Sequence, residues 1–360
     1  MEEDKKLSVA LAAIDRAVVS NIPQLTQEKG LSNEYINYGS DNLYPFYLEG
    51  LYHDVSTLRT VIDGISSYSC GDDAICNVSG FNVTMNKKGD TLRDILKKCV
   101  RDYELYGGFA LEVIRNLKGD VSEIYYIKFS YIRSDKKNES FLYSEDFDKR
   151  YVRKGKALTY PKYVYGGDAP ASIVYVKRDD ERTYPYPPMS IRACEIERSI
   201  DKLHLNSLDN GFMPSYILNF LNGIPTDEEK EELEKNITEK FAGVDNAGRF
   251  LLNFANGKDN MATVQRLDVT DFSDKYKAAA ERSREQIFCS YRAIPQLFGL
   301  MVAATGFSTQ EFEESFKVFN GTVIRDIQRV LGDVFDKIFG VKNSITIKPF
   351  TLNNDTQSVN

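Results

Sequence analysis

The feature that most constrains the fold is a long amphipathic pattern near the end of the chain, over about residues 309 to 339. At about 1.5 Å per residue it predicts a helix roughly 45 Å long. Gly321 and Gly332 interrupt the pattern, and we expect a bend there. Such a helix leaves elongated surface for other elements, or other copies of the chain, to cover. Its apolar positions, spaced by three or four, are Phe312, Phe316, Phe319, Val323, Ile327, Val330, Val334 and Ile338.

Two further long helices precede this one and enclose a small insert. The first is predicted over 189–211, after a proline-rich stretch, and the second over about 273–293, ended by Pro295. The insert contains "YILNF", a helix that starts at a capping box, "RFLLNF" and "ATVQRLDVT", which predict strand, helix, strand and strand.

The first half of the chain mixes helices with a β-rich region. Apolar spacing predicts helices over 55–69 and 91–105; Thr91 is placed to cap the second, and Gly107-Gly108 to end it. Short stretches rich in Tyr and β-branched residues then predict strands of an antiparallel or mixed sheet. These are "GFALEVIRN", "SEIYYIKFSYIRSD", "SFLYS", "KYVYGG" and "SIVYVKRDD". The fold class is therefore predicted to be α+β.

Charge and composition exclude some classes of function. The formal net charge of −7 argues against tight, non-specific binding to nucleic acid, which depends on neutralising phosphates with Lys and Arg. No apolar run approaches the length that spans a bilayer, so we expect no membrane partner. The first residues, "MEEDKKLSVA", are acidic and lack a basic leader, so no signal peptide is predicted and synthesis in the cytoplasm is expected.

Residues that carry catalytic chemistry are sparse. The five cysteines and two histidines are scattered, and no nucleotide-binding or hydrolase motif is present. Acidic clusters at 72–73, 179–181 and 227–234 could hold Mg²⁺ for phosphoryl chemistry, but a loop, a hairpin tip and a helix start also account for them. "YGG" at 106–108 is interpreted as a helix end rather than a phosphate loop. We predict no catalytic residue, no metal and no cofactor.

The order of these parts resembles that of the portal proteins of tailed double-stranded DNA phages. The resemblance covers nearly the whole chain from Tyr35 onward; residues before Tyr35 have no counterpart. Four stretches carry it: "LKKCVRDYELYGGFALEVIRNLKGDVSEIYYI", "YPYPPMSIRACEIERSIDKLHLNSLDNGFMPSYIL", "GIPTDEEKEELEKNITEKFAGVDNAGRFLLNF" and "SREQIFCSYRAIPQLFGLMVAATGFSTQEFEESFKVFNGTVIRDIQRVLGDVF".

The resemblance implies a portal-type subunit with named parts. We expect a wing at 1–188, a first stem helix at 189–211, a clip at 212–271, a second stem helix at 272–296, a tunnel loop at 297–308, a tunnel helix at 309–340, and a short strand and tail with a reduced crown at 341–360. The resemblance implies that such subunits form a twelve-fold ring at one capsid vertex of the virion. The partners implied are further copies of the chain, the large terminase subunit, the major capsid and scaffold proteins, the head–tail connector and double-stranded DNA in transit.

The resemblance also assigns candidate residues. The uncharged tunnel loop would contact moving DNA without ion pairs through Val302, Ala303, Ala304, Thr305 and Gly306, although an ordinary helix–helix connection also fits. Basic residues of the second stem helix would face either the DNA or neighbouring subunits: Lys275, Lys277, Arg282, Arg284 and Arg292. Acidic residues of the clip helix would dock the packaging motor, or form a solvated face: Glu228, Glu231, Glu232 and Glu239.

Two other classes of function stay open at this point. The acidic clusters fit a metal-dependent enzyme acting on nucleotides or nucleic acid. The elongated parts also fit a tail or capsid structural protein that forms no ring. The number of copies per particle would separate these classes from a portal.

Overall fold

The structure is a computed structural model that describes residues 35–148, 157–179, 182–209, 216–220, 250–254, 269–300 and 309–350. Within these ranges the α-helices are α1 (Tyr44–Asp54), α2 (Ser56–Cys70), α3 (Leu92–Tyr106), α4 (Ile191–Asp209), α5 (Val269–Ser290), α6 (Thr309–Phe319) and α7 (Arg325–Phe339). The strands are β1 (Asp73–Cys76), β2 (Gly108–Arg115), β3 (Val121–Ile127), β4 (Ile132–Ser134), β5 (Ser140–Tyr143), β6 (Leu158–Pro161), β7 (Ala171–Lys177), β8 (Tyr216–Phe220), β9 (Phe250–Phe254) and β10 (Ile345–Lys348). The predicted α+β class is confirmed.

The chain divides into two compact units. The first combines residues 1–189 with 291–360, and the second contains 190–290. Consequently the last two helices belong with the β-rich first half, and the second unit is an insertion in the chain between them.

The helix α3 forms as its sequence predicts. Thr91 Oγ1 accepts a hydrogen bond from the Asp94 amide (3.2 Å), and the Asp94 carboxylate accepts one from the Thr91 amide (3.0 Å), which completes a capping box. The helix ends at Gly107, whose φ of +81° is left-handed. The interpretation of "YGG" as a helix end is confirmed.

The sheets of the first unit are small and antiparallel. One has the strand order β3-β2-β7, a second has β4-β5-β6, and β1 pairs with β10. The predicted strand at "KYVYGG" is wrong: Lys162 makes only an isolated bridge to Ile173, and the chain turns over Val164–Gly167. The regular strand is β6, just before it. Gly166, with a φ of +70°, favours the turn.

The long helix predicted over 309–339 is present but not uniform. A π-helical segment, Asn320–Ile324, joins α6 to α7 and contains Gly321, one of the two positions where a bend was expected. Gly332 lies within α7 in regular α-helical structure. The strand β10 follows and pairs with β1, with Asp73 opposite Lys348, so the end of the described chain returns to its first half.

The second unit contains α4, α5 and a pair of strands. The helix α4 packs against α5, and β8 pairs with β9 in parallel. Parallel pairing requires a crossover connection, in agreement with the predicted strand–helix–strand order, although 221–249 lies outside the described residues. The expected strand "ATVQRLDVT" is wrong at its end, since Val269 and Thr270 already belong to α5.

The end of α5 also differs from the prediction. The helix stops at Ser290, and Arg292 adopts a left-handed φ of +53°. Pro295 does not end it, but begins a short 3₁₀ helix, Pro295–Phe298, after the extended Ile294. A proline ring suits the first position of a helix because the missing N–H has no partner there.

Candidate functional site

The residues on either side of 301–308 meet in one aromatic cluster of the first unit. Tyr68, on α2, has its ring centroid 6.0 Å from Phe298, 5.8 Å from Phe316 and 6.0 Å from Phe319. Phe298 and Phe319 are also in contact, with centroids 5.7 Å apart. Phe298 lies before residues 301–308 in the chain, and Phe316 and Phe319 lie after them on α6. The segments before and after 301–308 therefore both pack against α2. We name these four residues, Tyr68, Phe298, Phe316 and Phe319, the loop anchor.

Polar contacts and close packing fix the position of the segment before the loop. The Tyr68 hydroxyl donates a hydrogen bond to the Leu297 carbonyl at 2.7 Å. Gly64 lies one helical turn before Tyr68, and a Cβ atom placed on it would lie 2.3 Å from a ring carbon of Phe298. Only glycine leaves room for that ring without a shift of its position. The buried Leu297 and the half-buried Phe298 therefore anchor this turn against α2.

A cavity of 440 Å³ lies beside the loop anchor. Its lining combines apolar groups of Gly64, Leu297 and Phe298 with the polar side chains of Thr60 and Arg93. Arg93 reaches across to the carbonyl of Gly71 at 3.4 Å. The cavity therefore belongs to the packing around the loop's base.

Several candidate residues of the sequence lie outside the described part of the chain. These are the loop residues Val302, Ala303, Ala304, Thr305 and Gly306, and the clip residues Glu228, Glu231, Glu232 and Glu239. Their roles stay predictions.

The basic candidates do not form a single stripe. Lys277, Arg282 and Arg284 are exposed on α5, and Lys275 lies on the same helix, where only its backbone is described. Positions two apart on a helix point to different sides, so Arg282 and Arg284 cannot line one surface together. Arg292 lies beyond the helix end, in the turn. The geometry of the helix therefore does not place these residues in a single row that could face DNA.

Arg292 contributes to a buried ionic site that the sequence did not reveal. The Arg178 guanidinium donates to the Glu104 carboxylate, which is nearly fully buried. Burial raises the pKa of Glu104, while Arg178 and, more weakly, Arg292 oppose that shift. The Tyr291 hydroxyl donates to the Glu104 carbonyl at 3.1 Å, so the turn after α5 is attached to the end of α3.

A second buried carboxylate, Asp102, lies on the same helix. The Tyr126 hydroxyl and the Phe129 amide donate to its Oδ2 at 2.8 and 3.2 Å. Burial raises the pKa of Asp102 to about 7, although Arg101 and these hydrogen bonds lower it. The adjacent Glu49 accepts from the Tyr106 hydroxyl (2.6 Å) and from Lys128 Nζ (2.7 Å). These contacts join α1, α3 and the end of β3.

Asp73, in the acidic cluster at 72–73, is paired with other groups of the fold. The Asp73 carboxylate lies 3.1 Å from Lys348 Nζ and accepts a hydrogen bond from the Ala74 amide at 2.8 Å, at the edge of the β1–β10 pair. Among the described residues, no group of three His, Cys, Asp or Glu side chains is placed to hold a metal ion. None of the helices in the described ranges has the length and apolar character needed to cross a bilayer.

Comparison with known proteins finds a likeness at the level of structure. No protein-family model and no curated protein matches the sequence. A chain in the virion of a native gene transfer agent particle aligns with a TM-score of 0.53 and 17% identity, over 88% of this chain and 84% of that chain. A chain in the neck of the native particle, computed with C12 symmetry, aligns with a TM-score of 0.51 and 18% identity, over 84% of this chain and 83% of that one.

A weaker likeness is to the crystal structure of an HK97 family phage portal protein from Corynebacterium diphtheriae, with a TM-score of 0.48 and 7% identity over 80% of this chain and 88% of that chain. The first two likenesses show the fold. This chain shares it with a chain of the gene transfer agent neck. The resemblance seen along nearly the whole sequence is thus matched by a shared fold over at least 84% of the chain.

Proposed function

We propose that the protein is the subunit of a portal ring, set at one capsid vertex of a virion, through which the genome is packaged and ejected. The observation that carries this proposal is the fold shared, over 84% of the chain, with a neck chain whose structure was computed with C12 symmetry. The twelve-fold symmetry of that neck is the arrangement that a closed ring of portal subunits would have. The protein acts as a conduit and assembly platform, without catalysis.

Exposed apolar residues on opposite sides of α4 support lateral packing between copies in such a ring, where each subunit contacts a neighbour on either side. Ile196 keeps 44% of its side chain exposed, and Leu205 keeps 60%. Adjacent copies around a closed ring repeat one heterologous contact, which would cover such residues on every subunit.

The tunnel loop is the part of the proposal with the clearest physical logic. The loop anchor fixes both ends of 301–308 to α2, and the residues between carry no charge. Each Lys or Arg that neutralised a phosphate would add an attraction to be broken at every step of DNA movement. Val302, Ala303, Ala304, Thr305 and Gly306 would line the narrow part of the channel with neutral contacts.

A charge test follows for the loop. In Ala303→Lys/Ala304→Lys we expect normal ring assembly and reduced genome packaging, because the added ammonium groups hold the DNA. The matched control is Ala303→Ser/Ala304→Ser, polar but neutral, which should package like the wild type. Normal packaging by the lysine variant would show that the loop does not line the channel.

The clip and stem complete the proposal. Glu228, Glu231, Glu232 and Glu239 would dock the large terminase subunit, and later the head–tail connector. The basic residues of α5 would pair between subunits, since they form no single row toward a channel.

A Glu231→Lys/Glu232→Lys variant should fail to capture the large terminase subunit in a pull-down. Undiminished capture would mean that these residues form a solvated helix face. The capsid and scaffold proteins would contact the opposite end of the ring.

Native mass spectrometry of the full chain tests the central claim. We expect a closed oligomer with a mass near twelve times 41.0 kDa. Electron microscopy of the same sample should show a ring with an open lumen wide enough for a duplex. A stable monomer at micromolar concentration, or an oligomer without a lumen, would overturn the portal assignment.

A further inference from the structure

Three turns of the first unit meet in one exposed patch. They are the β2–β3 turn at 115–120, the turn at 162–168, and the end of α7 with the residues after it at 337–342; we name them the three-turn patch. Arg115 donates to the Gly119 carbonyl at 2.9 Å and to the Val164 carbonyl at 2.7 Å, which joins the first two turns. The Tyr163 hydroxyl donates to the Ile338 carbonyl at 2.6 Å, which joins the third.

The patch exposes apolar side chains on all three turns. Leu117 is fully exposed, Val164 and Tyr165 keep 63% and 64% of their surface, and Val341 keeps 49%. Tyr165 lies directly over Gly340, where an added Cβ would come within 2.2 Å of its ring. Large apolar groups gathered in this way are uncommon on soluble chains unless another surface covers them.

The charges around the patch are mostly basic, although the whole chain is acidic. The three stretches contain five basic residues, Arg115, Lys118, Lys162, Lys337 and Lys342, and two acidic ones, Asp120 and Asp168. An occupant suited to this surface has an apolar stripe with carboxylates along its edges.

The sequence before Tyr35 has that character. Leu7, Leu11, Ile14 and Val18 are spaced by four, three and four residues, the spacing that predicts one apolar stripe on a helix. Glu3 and Asp4 precede Leu7 by four and three positions, and Asp15 follows Leu11 by four, so all three adjoin the stripe. The basic Lys5, Lys6 and Arg16 are not three or four positions from any member of the stripe, so the same spacing rule does not place them beside it.

The start of the described chain lies close enough for this segment to reach the patch. The Tyr35 hydroxyl is 3.2 Å from Ser140 Oγ and donates to Thr159 Oγ1 at 3.4 Å, so the chain enters beside β5 and β6. The strand β6 leads directly into the turn at 162–168. Residues 19–34, if extended, span up to about 50 Å, which is ample.

We infer that residues 3–18 form an amphipathic helix that docks on the three-turn patch of its own chain. Leu7, Leu11, Ile14 and Val18 cover Leu117, Val164, Tyr165 and Val341, and the flanking carboxylates face the basic edge. The inference does not depend on ring formation or on the proposed function.

Hydrogen exchange of the full chain tests it. We expect amides of 5–19 and 163–167 to exchange at least ten-fold more slowly in the wild type than in Leu11→Asp/Ile14→Asp, which places charges in the stripe. The matched control is Val9→Asp/Ala12→Asp, with the same charges on the opposite side, and it should keep the wild-type protection. Exchange of α3 should be the same in all three, because the substitutions lie outside the described fold.

Either of two exchange results would overturn the inference: equal, unprotected exchange of 5–19 in all three proteins, or exchange of 163–167 that does not respond to Leu11→Asp/Ile14→Asp. A cysteine pair identifies the source of the segment. Leu11→Cys/Val164→Cys, in a Cys289→Ser background because Cys289 is exposed, should form a disulfide within one chain under mild oxidation, and Ala12→Cys/Val164→Cys should not. Cross-linked dimers would mean that the segment of another copy covers the patch, and this would also contradict the inference.

Discussion

The two compact units place charged and apolar side chains in contrasting ways. In the first unit Arg133 is fully buried, yet its guanidinium donates to the carbonyls of Ser130, Ile132 and Asn42, each at 2.8 Å. The Phe147 ring centroid lies 4.4 Å from its Cζ atom. In the second unit, Lys277, Arg282 and Arg284 of α5 are exposed, and so is Ile196 of α4.

The two units therefore differ in how their charged side chains are paired and exposed. The first unit pairs several of its buried ionic groups internally, through partners far apart in sequence such as Glu104 and Arg178. Buried groups that are hydrogen-bonded in this way favour a single arrangement of the core. The described helices of the second unit keep single apolar and basic side chains on their surface, whereas the first unit gathers several of its exposed apolar side chains in the three-turn patch. Three predictions test this contrast.

The largest effect is expected from Gly107→Ala in the first unit. The residue has a φ of +81°, and an added Cβ would lie 1.9 Å from the carbonyl oxygen of Tyr186, so the backbone of another segment must move. We expect a loss of roughly 3 kcal/mol or more in the free energy of unfolding, measured by urea denaturation. Gly119→Ala is the control, because its φ is +88° with open space around it. It should lose only about 1 kcal/mol from backbone strain. Equal losses would show that the close approach at Gly107 has no energetic consequence.

The second prediction concerns the pH dependence of stability. Burial raises the pKa of Asp102 from 3.8 to about 7. Between these values the folded state holds a proton that the unfolded state has released, so stability falls as pH rises through this window and changes no further above it. Asp102→Asn mimics the neutral acid and lacks the titration.

Unfolding of the wild type and Asp102→Asn should therefore be compared at several pH values. We expect the variant to gain on the wild type by at least about 1.4 kcal/mol, the equivalent of one pKa unit, as pH rises from 4 to 7. Burial also raises the pKa of Glu104, but both proteins contain it and its contribution cancels in the difference. A constant difference between the two proteins would mean that Asp102 is ionised throughout.

Local sequence signals predicted the local structure of the chain well. The cap at Thr91, the end at Gly107 and the length of the last helix all follow from neighbouring residues. The turn after α5 was mistaken because Pro295 suits the start of a helix as well as the end of one. The ionic site at Glu104 could not be predicted, since its partner Arg178 comes from another strand end and no spacing rule connects them. The same holds for the loop anchor, which joins α2 to residues more than two hundred positions away.

The smallest effect on stability is expected at Ile196. Ile196 and Ile200 lie about one helical turn apart on α4, yet Ile200 is 7% exposed and Ile196 is 44% exposed. Ile200→Ser should therefore cost about 2 kcal/mol or more of unfolding free energy, since a buried apolar group is replaced by a hydroxyl. Ile196→Ser should stay within about 0.5 kcal/mol of the wild type. If neighbouring copies cover Ile196, the same variant shifts the oligomer toward smaller species at a given concentration, as native mass spectrometry would detect. Equal stability costs at the two positions would instead place Ile196 in the core of its own chain, and the contrast between the two units would lose one of its supports.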